Sequence, residues 1–410
     1  MFLNENQEIT NKVGLWRSLV ARPSGGRKVA GSSPASPTIR PVALHGLNLI
    51  MELKIVGVLP SQSISRLIAD KIITANIPIE PNQVQPASLD LRLGKIALRV
   101  RASFLTGKDK NVKDWLDEFE MHQIDMEEGA VLEKGCVYLV PIEEKLSLPA
   151  NLSAVANAKS STGRLDLLTR IITNKGTEFD RIPTGYRGQL FVEICPRSFS
   201  VLVRPGMRLN QIRFRQGQSI LSDHELIKLH TKEKLIDGEL KVDVGLGFSV
   251  DLKPAEGSLV GYQAKPHTGI IDLDNVNYYK REDFWQEVHS SNGQIILDPD
   301  AFYILVSKEA VHIPPAFAAE MAPYLAMVGE FRVHYAGFFD PGFGHASAGG
   351  LGSRGVLEVR CHEAPFALEH GQVVGRLVYE KMEEVPKELY GENINSNYQG
   401  QGLKLSKHFI

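Results

Sequence analysis

The sequence predicts a mainly β fold with short helices, built as two tandem copies of one plan. Three observations predict it. From about residue 51 onward the apolar segments are short, rich in β-branched and aromatic residues, and separated by turn residues. Helical periodicity is confined to a few short stretches. Residues also recur at a constant offset: Tyr138 and Pro149 with Tyr303 and Pro314, Glu193 with Glu358, and Gly206 with Gly371. That spacing is far longer than a solenoid repeat, so it marks a duplicated domain rather than an array. At 410 residues the chain is too long for one ordinary domain. The copies are expected at 51–217 and 218–410, with the boundary near Gly217.

Residues 1–50 differ from the rest. Ala21 to Arg27 and Gly31 to Pro37 are turn-rich and polar, carry no hydrophobic period and contain no apolar signal-peptide core. They read as a disordered extension, either lying upstream of a start at Met51 or, as an Arg/Ser-rich run poor in acids, serving as a transit peptide. Each copy then opens with a short amphipathic helix, over 63–70 and over 223–229, followed by a Ser-x-Asp-Leu strand at Ser88 to Leu91 and at Ser249 to Leu252. In the first copy, strands are expected over 137–141, 189–194, 201–203 and 211–214, and Pro205-Gly206 is a hairpin turn between the last two.

Composition narrows the function. The chain is 43% hydrophobic and 23% charged with a net charge of −2, so no strong electrostatic pull toward nucleic acid or anionic membrane is expected. No apolar run is long enough to span a bilayer. Cys136, Cys195 and Cys361 are scattered and form no Cys-x-x-Cys pair, which argues for buried small hydrophobes in a reducing cytoplasm. The twelve histidines make no metal-like constellation, and His362-Glu363 is followed by no Pro-Cys-x-x-Cys, so a zinc deaminase mechanism is disfavoured. The Walker pattern and the Gly-x-Ser-x-Gly elbow are also absent.

Two stretches carry chemistry. Lys159-Ser160-Ser161-Thr162-Gly163-Arg164 offers hydroxyls, cations and a glycine, which suits a polyphosphate; alone it reads equally as a polar loop leading into the strand at 165–168. Gly185 to Glu193 places one carboxylate on a short apolar strand after a tight turn. There Leu190, Val192 and Ile194 face the core while Glu193 shares the other face with Phe191. A carboxylate near apolar groups has a raised pKa and can shuttle protons near neutral pH. Tyr186, at the turn, either stacks on a base or sugar or covers a hairpin end.

Five segments in order then resemble the deoxycytidine triphosphate deaminases of the dUTPase-like, β-clip superfamily: Gln85 to Gly94, Lys159 to Leu165, Gly185 to Glu193, Arg204 to Gln211, and the tail Tyr390 to Gln401. The resemblance implies zinc-free hydrolysis of dCTP to dUTP and ammonia. It places Glu193 at the catalytic glutamate, with Ser160 positioning the water or a phosphate. Lys159, Ser161 and Arg164 would hold the triphosphate with its magnesium, and Tyr186, Val192, Tyr390 and Gln401 complete the substrate-binding set. It further implies a homo-oligomer, a trimer by family habit, and dTTP as a candidate inhibitor.

The sequence departs from the family pattern at several points. Pro183-Thr184 precede Gly185 where the family has Asp, whereas the second copy keeps the aspartate in Phe339-Asp340-Pro341-Gly342-Phe343 and also keeps Glu358. The second copy lacks the Ser-Ser-x-Gly-Arg run and carries Glu330 there instead, and Asn397 stands where the tail often has Lys. Two arrangements follow: an active first copy built on Glu193 beside a scaffold, which the intact phosphate motif favours, or a composite site joining that motif to Asp340, Glu358 and the tail. A dUTP diphosphatase or bifunctional enzyme, and a non-catalytic nucleotide-binding regulator, are the rival functions.

Overall fold

The computed structural model describes residues 56–323, 331–334, 337–391 and 400–410. The expected N-terminal extension, the start at Met51, Glu330 and Asn397 lie outside these residues. Lys54–Ile410 form one compact unit. Among the described residues no helix is long and apolar enough to cross a membrane.

Each half holds two main sheets. In the first half one sheet runs Arg181–Ile182, Leu152–Ala158, Arg208–Gln216, Ser88–Arg92, Val84–Gln85, and the other Leu167–Thr173, Arg187–Pro196, Val137–Ser147, Ile96–Val100, Glu120–Asp125. The second half repeats the order. One sheet runs Phe338–Phe339, Phe317–Pro323, Val373–Lys381, Leu246–Ser249, and the other Phe331–His334, Ser353–Cys361, Phe302–Val311, Leu259–Ala264, Trp285–His289. The repeat read from single residues is therefore a repeat of topology.

The opening helices form at Ser61–Ala69 and Asp223–Lys232. The second has a capping box, in which Ser222 and Glu225 satisfy each other's backbone N–H. Two elements differ from expectation. The strand sought over 249–252 is Leu246–Ser249, so Ser249 ends it rather than starting it. A helix at Val112–Phe119 was not anticipated; its signal is the Asn111/Asp114 capping box. Gly206, at φ +80°, makes the turn between Val201–Val203 and Arg208–Gln216, as Pro205-Gly206 predicts.

The alternation along Arg187–Pro196 holds. Leu190, Val192 and Ile194 are fully buried in the main core. The opposite face is covered differently in the two halves. In the first half Phe191 packs on a local cluster of Phe104, Trp115 and Phe119, which closes that face from within its own copy. In the second half Leu357, Val359 and Cys361 fill the second core, and Val356 joins the main core on the other side of the strand. Arg360, on that same side, reaches Asp166 and Ser198 of the first half.

Three further joints tie the halves. Arg213, with no exposed side-chain surface, donates to Asp340 at 2.9 Å and to the Ala319 carbonyl at 3.0 Å, and lies over the Phe338 ring. Arg215 bridges Glu320 and Glu380 at 2.7 and 2.6 Å. Ile271–Asp272 adds a parallel strand to Val201–Val203. Removing one partner of a buried ion pair strands the other charge. We expect Arg213→Met to lower unfolding stability by about 3–5 kcal/mol in a urea titration.

Candidate active site

The Lys159–Arg164 segment folds as a single helical turn, Ser160–Gly163, held at its base by Lys159 N–H and the Thr162 hydroxyl, both donating to the Leu209 carbonyl. Thr162 and Gly163 point inward, and the Ser160 and Ser161 side chains stay half-buried at the surface of the turn. Neither of those hydroxyls has a hydrogen-bond partner among the described residues. Lys159 reaches back to buried Asp90, whose second oxygen is buried without a partner. Burial raises the Asp90 pKa, and the Lys159 ammonium opposes that shift.

Across a cavity of about 170 Å³ from this turn stand Asp340, Glu358 and Tyr390 of the second half, with Gln401 at its edge. Glu358 is 5% exposed, and no side chain hydrogen-bonds it among the described residues. Burial pushes its pKa up to about 8, and the nearby Arg164 guanidinium pulls the other way. Asp340 belongs to the turn Asp340-Pro341-Gly342-Phe343, where Gly342 sits at φ +95° and a Cβ would meet Leu389 at 2.8 Å. The turn is closed by Phe343 N–H to Asp340 O and by Tyr390 N–H to Pro341 O, with the Phe343 and Tyr390 rings 5.6 Å apart. Arg164 donates to Gln401 Oε1 at 2.9 Å and to the Lys404 carbonyl at 3.0 Å, so the Lys159–Arg164 turn and the tail are hydrogen-bonded directly.

Three residues named from the sequence are placed elsewhere. Glu193 does not line this cavity: Arg170, its neighbour across the sheet, donates to Glu193 Oε1 at 3.1 and 2.5 Å and stacks on Phe179. Val192 is a core residue with no exposed surface, because it points to the opposite side of the strand from Glu193. Tyr186 is also core, and its hydroxyl donates to the Gln189 carbonyl at 2.6 Å, so it covers the hairpin end. Lys159, Ser160, Ser161, Arg164, Asp340, Glu358, Tyr390 and Gln401 are brought together. Glu193 is not among the residues that line this cavity, whereas Glu358 is.

Sequence reasoning missed Asp90, Gln211 and Lys407 as wall residues. The repeated Ser-x-Asp-Leu strand was a signal for Asp90; Lys407, one of two lysines near the end of the given sequence, had none. A second cavity of about 310 Å³ shares Asp90, Lys159, Ser161 and Lys407 with the first and extends to Arg208, Asp274 and His408.

Both halves match known protein families. Residues 55–218 match the sequence model of the 2'-deoxycytidine 5'-triphosphate deaminase N-terminal domain, and residues 222–409 that of its C-terminal domain. The chain belongs to the dCTP deaminase family. The crystal structure of 2'-deoxycytidine 5'-triphosphate deaminase from Agrobacterium tumefaciens superposes with a TM-score of 0.77 at 55% identity, covering 80% of this chain and 99% of that one. A dCTP deaminase of Natronomonas pharaonis is 30% identical over 142 residues, 33% of this chain and 68% of its own length. A dUMP-forming dCTP deaminase of Sulfurihydrogenibium is 29% identical over 162 residues, 38% of this chain and 82% of its own.

The raised Glu358 pKa has a thermodynamic signature. Between the ordinary glutamate value of 4.5 and about 8 the folded state binds a proton that the unfolded state has released. Stability therefore falls as pH rises through that window. We expect Glu358→Gln to gain stability relative to wild type progressively from pH 5 to pH 8, read from paired denaturation midpoints. A difference independent of pH would place the Glu358 pKa at an ordinary value.

Proposed function

We propose that the chain hydrolyses the exocyclic amine of dCTP to give dUTP and ammonia, with Glu358 as the proton-transfer group and the Lys159–Arg164 turn as the phosphate holder. The observation that carries the reading is the juxtaposition of a buried carboxyl of raised pKa with a turn offering two free hydroxyls and two cations, in one cavity. Deamination needs a group that accepts a proton from water and returns protons to the ring and the leaving amine. A carboxyl with its pKa near 8 suits both halves of that exchange near neutral pH. Water adds to carbon 4 as its proton passes to Glu358. That proton goes to the ring nitrogen, the second proton of the former water follows through the same carboxylate to the amine, and the C–N bond breaks to leave the carbonyl and ammonia.

The remaining residues bind and orient. The Ser160 and Ser161 hydroxyls and the Lys159 ammonium suit phosphate oxygens. Asp340, held by Arg213, and the Phe343 and Tyr390 rings suit the sugar side. The described residues contain no group of three or more His, Cys, Asp or Glu side chains that could hold a metal. Magnesium would arrive as the counter-ion of the triphosphate, held through the phosphates. Because relatives include dUMP-forming deaminases, release of dUMP and pyrophosphate is the second reading. Trimer assembly and dTTP inhibition stand with the same proposal; light scattering and inhibition kinetics test them.

The test compares wild type, Glu358→Gln and Glu193→Gln with dCTP and magnesium, measuring ammonia and separating dUTP, dUMP and pyrophosphate. We expect Glu358→Gln to lose at least roughly 10³-fold in ammonia release, toward the upper range for a general acid–base group, while still binding nucleotide. Glu193→Gln is expected to stay within a few-fold of wild type. The reverse pattern would sink the composite site, and wild type releasing no ammonia would sink deamination itself.

A further inference from the structure

The last ten residues lie between the Lys159–Arg164 turn of the first half and residues 273–285 of the second, and are fixed there along their length. The Ser406 hydroxyl donates to the Ser161 carbonyl at 2.8 Å. Asn277 N–H donates to the Lys407 carbonyl at 2.9 Å, His408 Nε2 hydrogen-bonds the Leu273 carbonyl at 3.2 Å, and Ile410 N–H donates to the Tyr279 carbonyl at 2.9 Å. Phe409 sits in an aromatic cluster with Tyr279, Phe284 and Trp285. This segment therefore has one defined position, and Lys407 projects from it into the wall shared by the two cavities.

Most charges around that wall have a partner among the described residues. Lys159 is paired with Asp90, Arg208 with Glu80, and Asp274 with Arg204. Arg164 is bound to the tail itself. Burial pushes the His408 pKa down to about 4, so its imidazole adds no charge near neutral pH. Lys407 is half-buried and makes no ion pair or side-chain hydrogen bond among the described residues. Burial and the neighbouring Lys159 ammonium both lower its pKa, while Asp90 and Asp274 oppose the shift. Two ammonium groups facing one cavity repel each other, and an anion lying between them relieves that repulsion.

We propose that Lys407 is a phosphate-binding residue that bridges the outer phosphates of the nucleotide to the Lys159–Ser161 turn. The inference rests on the deaminase reading for the identity of the nucleotide, but not for the presence of an anion. It gives the C-terminal segment a function beyond packing, because the tail that hydrogen-bonds Arg164 and the Ser161 carbonyl also delivers the cation. The placement makes Lys407 a determinant of preference for triphosphate over the bare nucleoside.

Lys407→Met and Lys407→Arg separate this role from a structural one. The measurements are KM for dCTP, the calorimetric affinity of inorganic tripolyphosphate, and the inhibition constant of deoxycytidine. We expect Lys407→Met to weaken dCTP and tripolyphosphate together by roughly 10- to 100-fold, as loss of a charge-assisted hydrogen bond does. Deoxycytidine inhibition should be unchanged, and Lys407→Arg should restore most of the loss. Unchanged tripolyphosphate affinity, or an equal loss for deoxycytidine, would overturn the assignment. If wild type fails to deaminate dCTP, the functional reading falls, while the tripolyphosphate comparison still decides the role of Lys407.

Discussion

The strand Ser353–Cys361 carries apolar or charged groups on both faces, and neither face can be left to solvent. One face, Leu357, Val359 and Cys361, closes the second core. The other, Val356, Glu358 and Arg360, is closed by the main core, to which both halves contribute, and by Asp166 and Ser198 of the first half. Taking this face out of water is favourable for Val356 and unfavourable for the charged groups unless they are compensated. Arg360 is compensated by Asp166. Glu358 is left facing the cavity, and its proton affinity rises as a result. Docking of the two halves and the chemistry of the carboxyl are one physical event.

The first half solves the same problem locally. Its equivalent strand, Arg187–Pro196, has its second face covered by Phe104, Trp115 and Phe119, and its glutamate, Glu193, is neutralised by Arg170. A duplicated strand thus yields two carboxylates with different surroundings. One is held in a salt bridge, and the other faces a cavity where it can exchange protons. The Lys159–Arg164 turn of the first copy and the Glu358 carboxyl of the second line one cavity, so neither copy contains the whole of it.

Because Arg164 hydrogen-bonds Gln401 and the Lys404 carbonyl, and Ser406 bonds the Ser161 carbonyl, the turn that faces the cavity also anchors residues 401–406. Arg213 plays the matching part on the other wall, since the cation that joins the sheets also fixes Asp340 in its turn. Stability and site geometry therefore depend on the same few cations.

Much of this was legible in the sequence. The alternation around Val192, the turn at Pro205-Gly206, the repeated glutamates and the Lys159–Arg164 run are local patterns, and local sterics and burial fix them. They determined the β architecture, its duplication and the chemical types present in the site. Which glutamate faces the cavity could not be read that way. Glu193 and Glu358 occupy equivalent positions on equivalent strands, and only the cover laid over each face distinguishes them. The same holds for Lys407, whose environment is set by Asp90, Lys159 and Asp274, residues more than a hundred positions away that only the folded chain brings beside it. Proton affinity and charge compensation are properties of those surroundings, so the tertiary structure alone decided them.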